Sequence, residues 1–141
     1  MRSILAIIVC VSFFACKTSK SGGSNNSSAS LFKHKWMIVA LNGEDVDTTK
    51  IFKKNGIMFN KETSRISGAV SCNALIGSFV LGENNAFHFK QPLASTKMMC
   101  PDMSIENGFM KVVDKVSNYK ISGKYLVLTD GDNELAKFVQ L

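Results

Sequence analysis

The stretch "GSFVLGENNAFHFK", residues 77–90, decides how this chain folds. Phe79 and Leu81 alternate on the way in, Phe87 and Phe89 alternate on the way back, and "GENN" between them supplies residues that tolerate positive φ. Two runs of period two joined by such a turn make an antiparallel hairpin with one apolar face. His88, set between two phenylalanines, is expected to point outward from the opposite face.

The same period extends to both sides. Upstream, "HKWMIVALNGEDV" places Trp36, Ile38 and Ala40 on one face of a strand that ends in an Asn42-Gly43 turn, and "GIMFNKETSRISGAV" reads as two strands around a polar turn near Lys61 to Ser64. Downstream, "NYKISGKYLVLTDGDNELAKFVQL" gives three further runs with turns at Gly123-Lys124 and Asp130-Gly131. One stretch breaks the pattern. Ile105, Phe109, Val112 and Val116 recur at helical spacing, with Lys111, Asp114 and Lys115 outside, Asp102 as N-cap behind Pro101, and Gly108 as a weak point. The fold class is therefore mostly β (α+β), an antiparallel sheet of about eight short strands with one helix near residues 102–116. Such a sheet protects its edges best by closing toward a barrel, with the helix plugging one side.

The first 15 residues do not belong to that domain. Arg2, an apolar run from Ile4 to Phe14, and small Ala15 before Cys16 form the charged, apolar, small-residue pattern of an export signal, too short for a membrane span. Phe13-Phe14-Ala15-Cys16 resembles a bacterial lipobox, so residues 1–15 are expected to be a lipoprotein signal peptide and Cys16 the acylated residue. The usual motif has Leu where Phe13 stands. Lys17 beside the acylated Cys resembles the signal for passage to the outer membrane. Residues 17–30, "KTSKSGGSNNSSAS", hold no large apolar side chain and read as a flexible tether with a reach of roughly 20 Å, completing a linker over 16–30. The expected localisation is the cell envelope, lipid-anchored at the outer membrane.

Residues 31–141 make one small domain. The full chain carries a formal charge of +6, and loss of Arg2 with the signal leaves +5, because all eleven acidic residues follow Cys16. Most lysines are scattered singly, which reads as a solvated basic surface. No basic stripe with interleaved aromatics suggests nucleic acid. The domain is expected to be monomeric.

A search for chemistry returns little. His34 and His88 stand apart with no triad or ligand spacing, and "TDGDNE" begins like a calcium loop but has Leu135 where Gly is needed. No catalytic, cofactor-binding or metal-ligating set is assigned, and an enzyme is not expected. Of four cysteines, Cys10 leaves with the signal and Cys16 becomes the anchor, so Cys72 and Cys100 remain. In an oxidising envelope a disulfide is the first reading. Two buried free thiols, or a soft-metal or thiol-redox role for Cys72 and Cys100 with Met98, Met99 and Met103, stay open beside it. For the methionines themselves, core packing is the simpler expectation.

The blocks "SGAVSCNALIGSF", "LASTKMMC", "IENGFMKVV" and "YLVLTDGDNELAKF", led by "KWMIVALNG", resemble in order and spacing the META domain, the heat-shock protein HslJ family. The resemblance covers residues 33–141, and departs at Ser71, where the family often has Gly. It implies a barrel-like β fold with one helix, and envelope proteins, many of them lipoproteins, linked to stress responses without an established enzymatic activity. The expected function is a non-enzymatic binding or stress-protective module of the envelope. The alternative is a pilot-like helper lipoprotein holding a secretion partner or lipid, for which a chamber lined by Phe79, Phe87 and Phe89 would speak. A soft-metal or thiol-redox protein is the third reading.

Overall fold

The computed structural model describes residues 25–141. The expected signal peptide at 1–15 and Cys16, the expected anchor, lie outside the described residues. Helix α1 (Asn25–Lys33) is followed by strands β1 (Trp36–Leu41), β2 (Glu44–Asp45), β3 (Ile57–Asn60), β4 (Arg65–Ala69), β5 (Ala74–Leu81) and β6 (Phe87–Ser95). Helix α2 (Ser104–Val112) continues as a 3-10 turn over Val113–Lys115, and β7 (Asn118–Ser122), β8 (Tyr125–Asp130) and β9 (Asn133–Gln140) complete the chain.

Turn chemistry sets this order. Asn42 and Gly43 both take positive φ between β1 and β2, as the two-residue hairpin turn requires, and Asn84 and Asn85 do the same between β5 and β6. The expected hairpin is present: Phe79 faces Phe89 and Leu81 faces Phe87 in an antiparallel register. The strands follow the order β6-β5-β4-β3-β1-β9-β8-β7, with β2 appended to β1. The sheet curls into a half-barrel whose two edges meet at one end, where Ala86 bridges Asn118 and Phe87 N donates to Ser117 O at 2.9 Å.

Alternation fills the concave side with aromatics. Phe79 and Phe87 stack at 5.4 Å between centroids, and Phe59 meets both edge-on at 5.5 and 5.6 Å. The chain of rings continues through Phe89 to Phe109 on α2 and Phe138 on β9. Rings in these geometries contribute about 0.5–1.5 kcal/mol per pair beyond their burial. Helix α2 lays Ile105, Phe109 and Val112 against this core, and Val113 and Val116 follow them into it. One position forbids a side chain outright. At Gly68 φ is +132°, and a Cβ there would press on the Gly56 carbonyl, which already accepts from Ala69 N at 3.0 Å.

Two expectations change. Residues 25–30, read as part of the tether, belong to α1, because Leu31 and Phe32 at its C-terminal end have somewhere to go. Leu31 is fully buried and its carbonyl accepts from Trp36 Nε1 at 3.0 Å, while Phe32 stacks on Phe79 at 6.3 Å. Core contacts at one end of the helix compensate for poor helix formers at the other. Second, α2 starts at Ser104 rather than at Asp102. Asp102 sits one residue ahead of the cap position and still accepts from Ser104 N at 2.8 Å, so it satisfies one free N–H from outside the helix.

Candidate functional site

The polar chemistry buried in this fold gathers where β4, β5 and β6 approach α2. The chain leaving β4 passes Val70, Ser71 and Cys72 in buried positions and enters β5 through Asn73. Glu106, in the first turn of α2, is 8% exposed and meets that corner. Its Oε2 accepts from Cys72 N at 3.2 Å and from Asn73 N at 2.7 Å, and its Oε1 accepts from Asn73 Nδ2 at 2.7 Å. The other face of Asn73 holds the segment leaving β6. Asn73 Oδ1 accepts from Met98 N at 2.6 Å and from Thr96 Oγ1 at 2.8 Å, and Asn73 Nδ2 also donates to Met98 O at 3.3 Å. Thr96 Oγ1 in turn accepts from Ala74 N at 3.1 Å.

Cys72 and Cys100 close the same corner covalently. Their sulfurs are bonded at 1.96 Å, with Cα atoms 6.1 Å apart, inside the range a disulfide spans without moving the backbone. The Cys72 side is fully buried. The thiolates that a soft-metal site at this corner would need are consumed by that bond. Ser71 does not occupy the left-handed region, so its side chain is sterically allowed, yet its Oγ is buried without a hydrogen-bond partner among the described residues.

The methionines do not behave as core filler. Met99 is 98% exposed and Met98 46% exposed. Regular pairing ends at Ser95, and from there the backbone of Met98 is held by Asn73 while its side chain and that of Met99 turn to solvent. Met103 is half-buried beside the helix start. His88 points outward as expected, and His34 lies edge-on to Trp36 at 6.0 Å. "TDGDNE" is the tight turn between β8 and β9.

Two carboxylates at the mouth of this corner have shifted acidities. Hydrogen bonds from the side chain and backbone of Thr49 hold the Asp47 carboxyl below its usual range. Hydrogen bonds from the side chain and backbone of Ser104, helped by Lys50 at 3.4 Å, do the same for Asp102. Among the described residues Phe79, Phe87 and Phe89 pack ring against ring on the concave side and leave no acyl-sized chamber between them. Beside Asn73 and Glu106 there is a cavity of about 10 Å³, room for one water. An open groove of about 540 Å³ lies on the outer face, lined by Ser67, Gly68, Ala74, Ile76, Ala94 and Thr96 among others.

Sequence reasoning quoted Asn73 without assigning it a role and missed Glu106 as a buried residue. A signal was available: Glu106 shares a helical face with Phe109 and Val113, both buried, so the arc facing the core is wider than the Ile105 to Val116 stripe.

The META domain family model matches residues 29–141. The chain belongs to the META domain family. Among solved structures it is similar to a protein from Burkholderia xenovorans determined by NMR, at 19% identity and a TM-score of 0.60, over 81% of this chain and 86% of that one. A second NMR structure matches at 23% identity and a TM-score of 0.58, over 79% and 92%. A crystal structure of a DUF4847 family protein from Bacteroides vulgatus matches at 16% identity and a TM-score of 0.52, over 75% and 91%. These likenesses concern the fold. The hydrophobic core of this chain closes between Leu31 and Phe138, so residues 25–141 form a unit with a core of its own. No curated protein matches the chain.

Proposed function

We propose that this META domain protein is a lipid-anchored lipoprotein of the cell envelope, held at the outer membrane through Cys16, whose folded domain is a non-enzymatic binding or stress-protective module. The observation that carries the reading is the corner at Cys72. Glu106 and Asn73, the buried polar pair a reaction could have used, have their oxygens and amide already engaged by backbone and side-chain donors and acceptors. The disulfide beside them is a bond of the kind that persists in oxidising compartments. Both features suit a domain built to persist outside the cytoplasm.

The anchor is tested by producing the full chain and its Cys16→Ser variant in a bacterium and fractionating the cells. Expected are membrane recovery of the wild type, an acylated N-terminal peptide in its mass spectrum, and loss of both in the variant. An unmodified Cys16 in a soluble fraction would overturn it. Deleting the gene and profiling sensitivity to envelope stresses tests the protective role. The pilot-like alternative is left without an interior chamber at Phe79, Phe87 and Phe89, and a bound lipid or peptide would have to use the outer groove.

A further inference from the structure

Three large apolar side chains at one rim of the barrel face solvent together. Phe52 is 61% exposed, Met98 46% and Met99 98%. They come from two distant segments, 51–54 and 97–100, which the corner at Cys72 holds side by side. Lys53 N donates to Ser71 O at 2.7 Å, Lys53 Nζ lies 3.6 Å from Met98 Sδ, and Phe52 lines one cleft with Cys100. The same segments carry cations. Lys50 is taken up by Asp102 at 3.4 Å, with Asp47 nearby, but among the described residues no carboxylate lies within ion-pair range of Lys53, Lys54 or Lys97. The fold thus brings the Lys53-Lys54 pair and Lys97 together around exposed Phe and Met.

We infer that this rim docks on an anionic lipid surface, with Phe52, Met98 and Met99 entering the headgroup layer and Lys53, Lys54 and Lys97 over the phosphates. Apolar tips ringed by cations are what an interfacial contact uses, and each lysine near an anionic bilayer strengthens partitioning about fivefold. A stable protein interface buries about 800 Å² on each partner, more than three side chains supply. A lipid surface held close by asks for less. The closeness, though not the chemistry of the rim, rests on the lipoprotein reading: the nine residues from Cys16 to Asn25 span at most about 30 Å, so the rim would stay within reach of the bilayer.

The test uses the domain 25–141 carrying Phe52→Trp. The native Trp36 is fully buried, so a change in emission reports position 52. With vesicles of phosphatidylglycerol and phosphatidylcholine in equal parts, expected are a blue shift and co-sedimentation that weaken about fivefold for each of Lys53→Gln, Lys54→Gln and Lys97→Gln. Pure phosphatidylcholine vesicles should give neither. The idea is overturned by absence of binding to the mixed vesicles. It is equally overturned by binding that survives the triple variant and is lost in Lys120→Gln/Lys124→Gln/Lys137→Gln. A concentration-dependent shift without vesicles would instead assign the rim to a second copy of the chain. Since this domain lacks Cys16, a negative result leaves the acylation reading standing, and Cys16→Ser fractionation tests that separately.

Discussion

Replacing Glu106 with Gln removes one acceptor and adds one donor at a corner where every neighbour is a donor. The wild-type carboxylate accepts three hydrogen bonds, from Cys72 N, Asn73 N and Asn73 Nδ2. If the Gln oxygen keeps the two backbone N–H groups, its amide nitrogen faces Asn73 Nδ2. Turning Asn73 over relieves that contact but puts the same nitrogen against Met98 N and Thr96 Oγ1, which now donate to Asn73 Oδ1. With hydrogen bonds to charged groups worth about 1.5–3 kcal/mol each, and a buried unsatisfied donor costing about 1–3, Glu106→Gln should lower stability by about 2–4 kcal/mol. That is a large share of the roughly 5–15 kcal/mol that holds a domain together. Asn73→Asp alone should cost at least as much, because it sets two carboxylates face to face and takes the donor from Met98 O. In the double variant the Gln nitrogen donates to the new carboxylate, which still accepts from Met98 N and Thr96. The pair should then recover about 1–3 kcal/mol relative to the sum of the singles. Urea unfolding followed by the fluorescence of buried Trp36 measures all four proteins. A Glu106→Gln variant within about 0.5 kcal/mol of wild type, or strict additivity, would refute the donor accounting.

The disulfide has a separate signature: reduction should lower stability by about 3–4 kcal/mol in the chain-entropy model for a separation of 28 residues. Thiol titration of the denatured domain should find no free thiol before reductant and two after it. A protein with two titratable thiols from the outset would contradict the pairing. Acid stability follows from Asp47 and Asp102, whose native acidities lie below the 3.8 of the free carboxyl. The unfolded chain takes up protons first as pH falls, so their contribution is complete above about pH 4 and is lost as pH drops through the native values. Thermal midpoints should decline there, and Asp102→Asn should flatten the decline. An equal slope in that variant would exclude Asp102 as a contributor.

The parts of the fold that were legible are those where local chemistry and the core agree. Phe79, Leu81, Phe87 and Phe89 alternate because one face is buried, and the turn between them has the asparagines its φ values require. The family-wide motifs led to the same sheet and helix. What escaped was set by distant partners. "NNSSASLFK" is a weak helix former, and α1 exists because Leu31 and Phe32 find Trp36 and Phe79. Met98 and Met99 carry the composition of a core, yet Asn73 grips the backbone there and turns the side chains out. Glu106 has the look of a surface residue at a helix N-terminus, favoured there by the dipole. Its burial depends on two N–H groups arriving from the β4–β5 connection. The Cys72–Cys100 pair could be argued from compartment and count, while its reach depended on a corner that no local pattern announces.

The bond between Cys72 and Cys100 also makes the polypeptide a ring with two tails, and the β5–β6 hairpin lies wholly within the ring. A cut at the exposed turn near Asn84 would therefore leave one covalent molecule, which denaturation would part into two pieces only after reduction. In the unfolded chain the outer ends of β5 and β6 are already neighbours, so their pairing starts from a closed circle. The path between β1 and β9, which must also pair, is shortened by the same detour through sulfur.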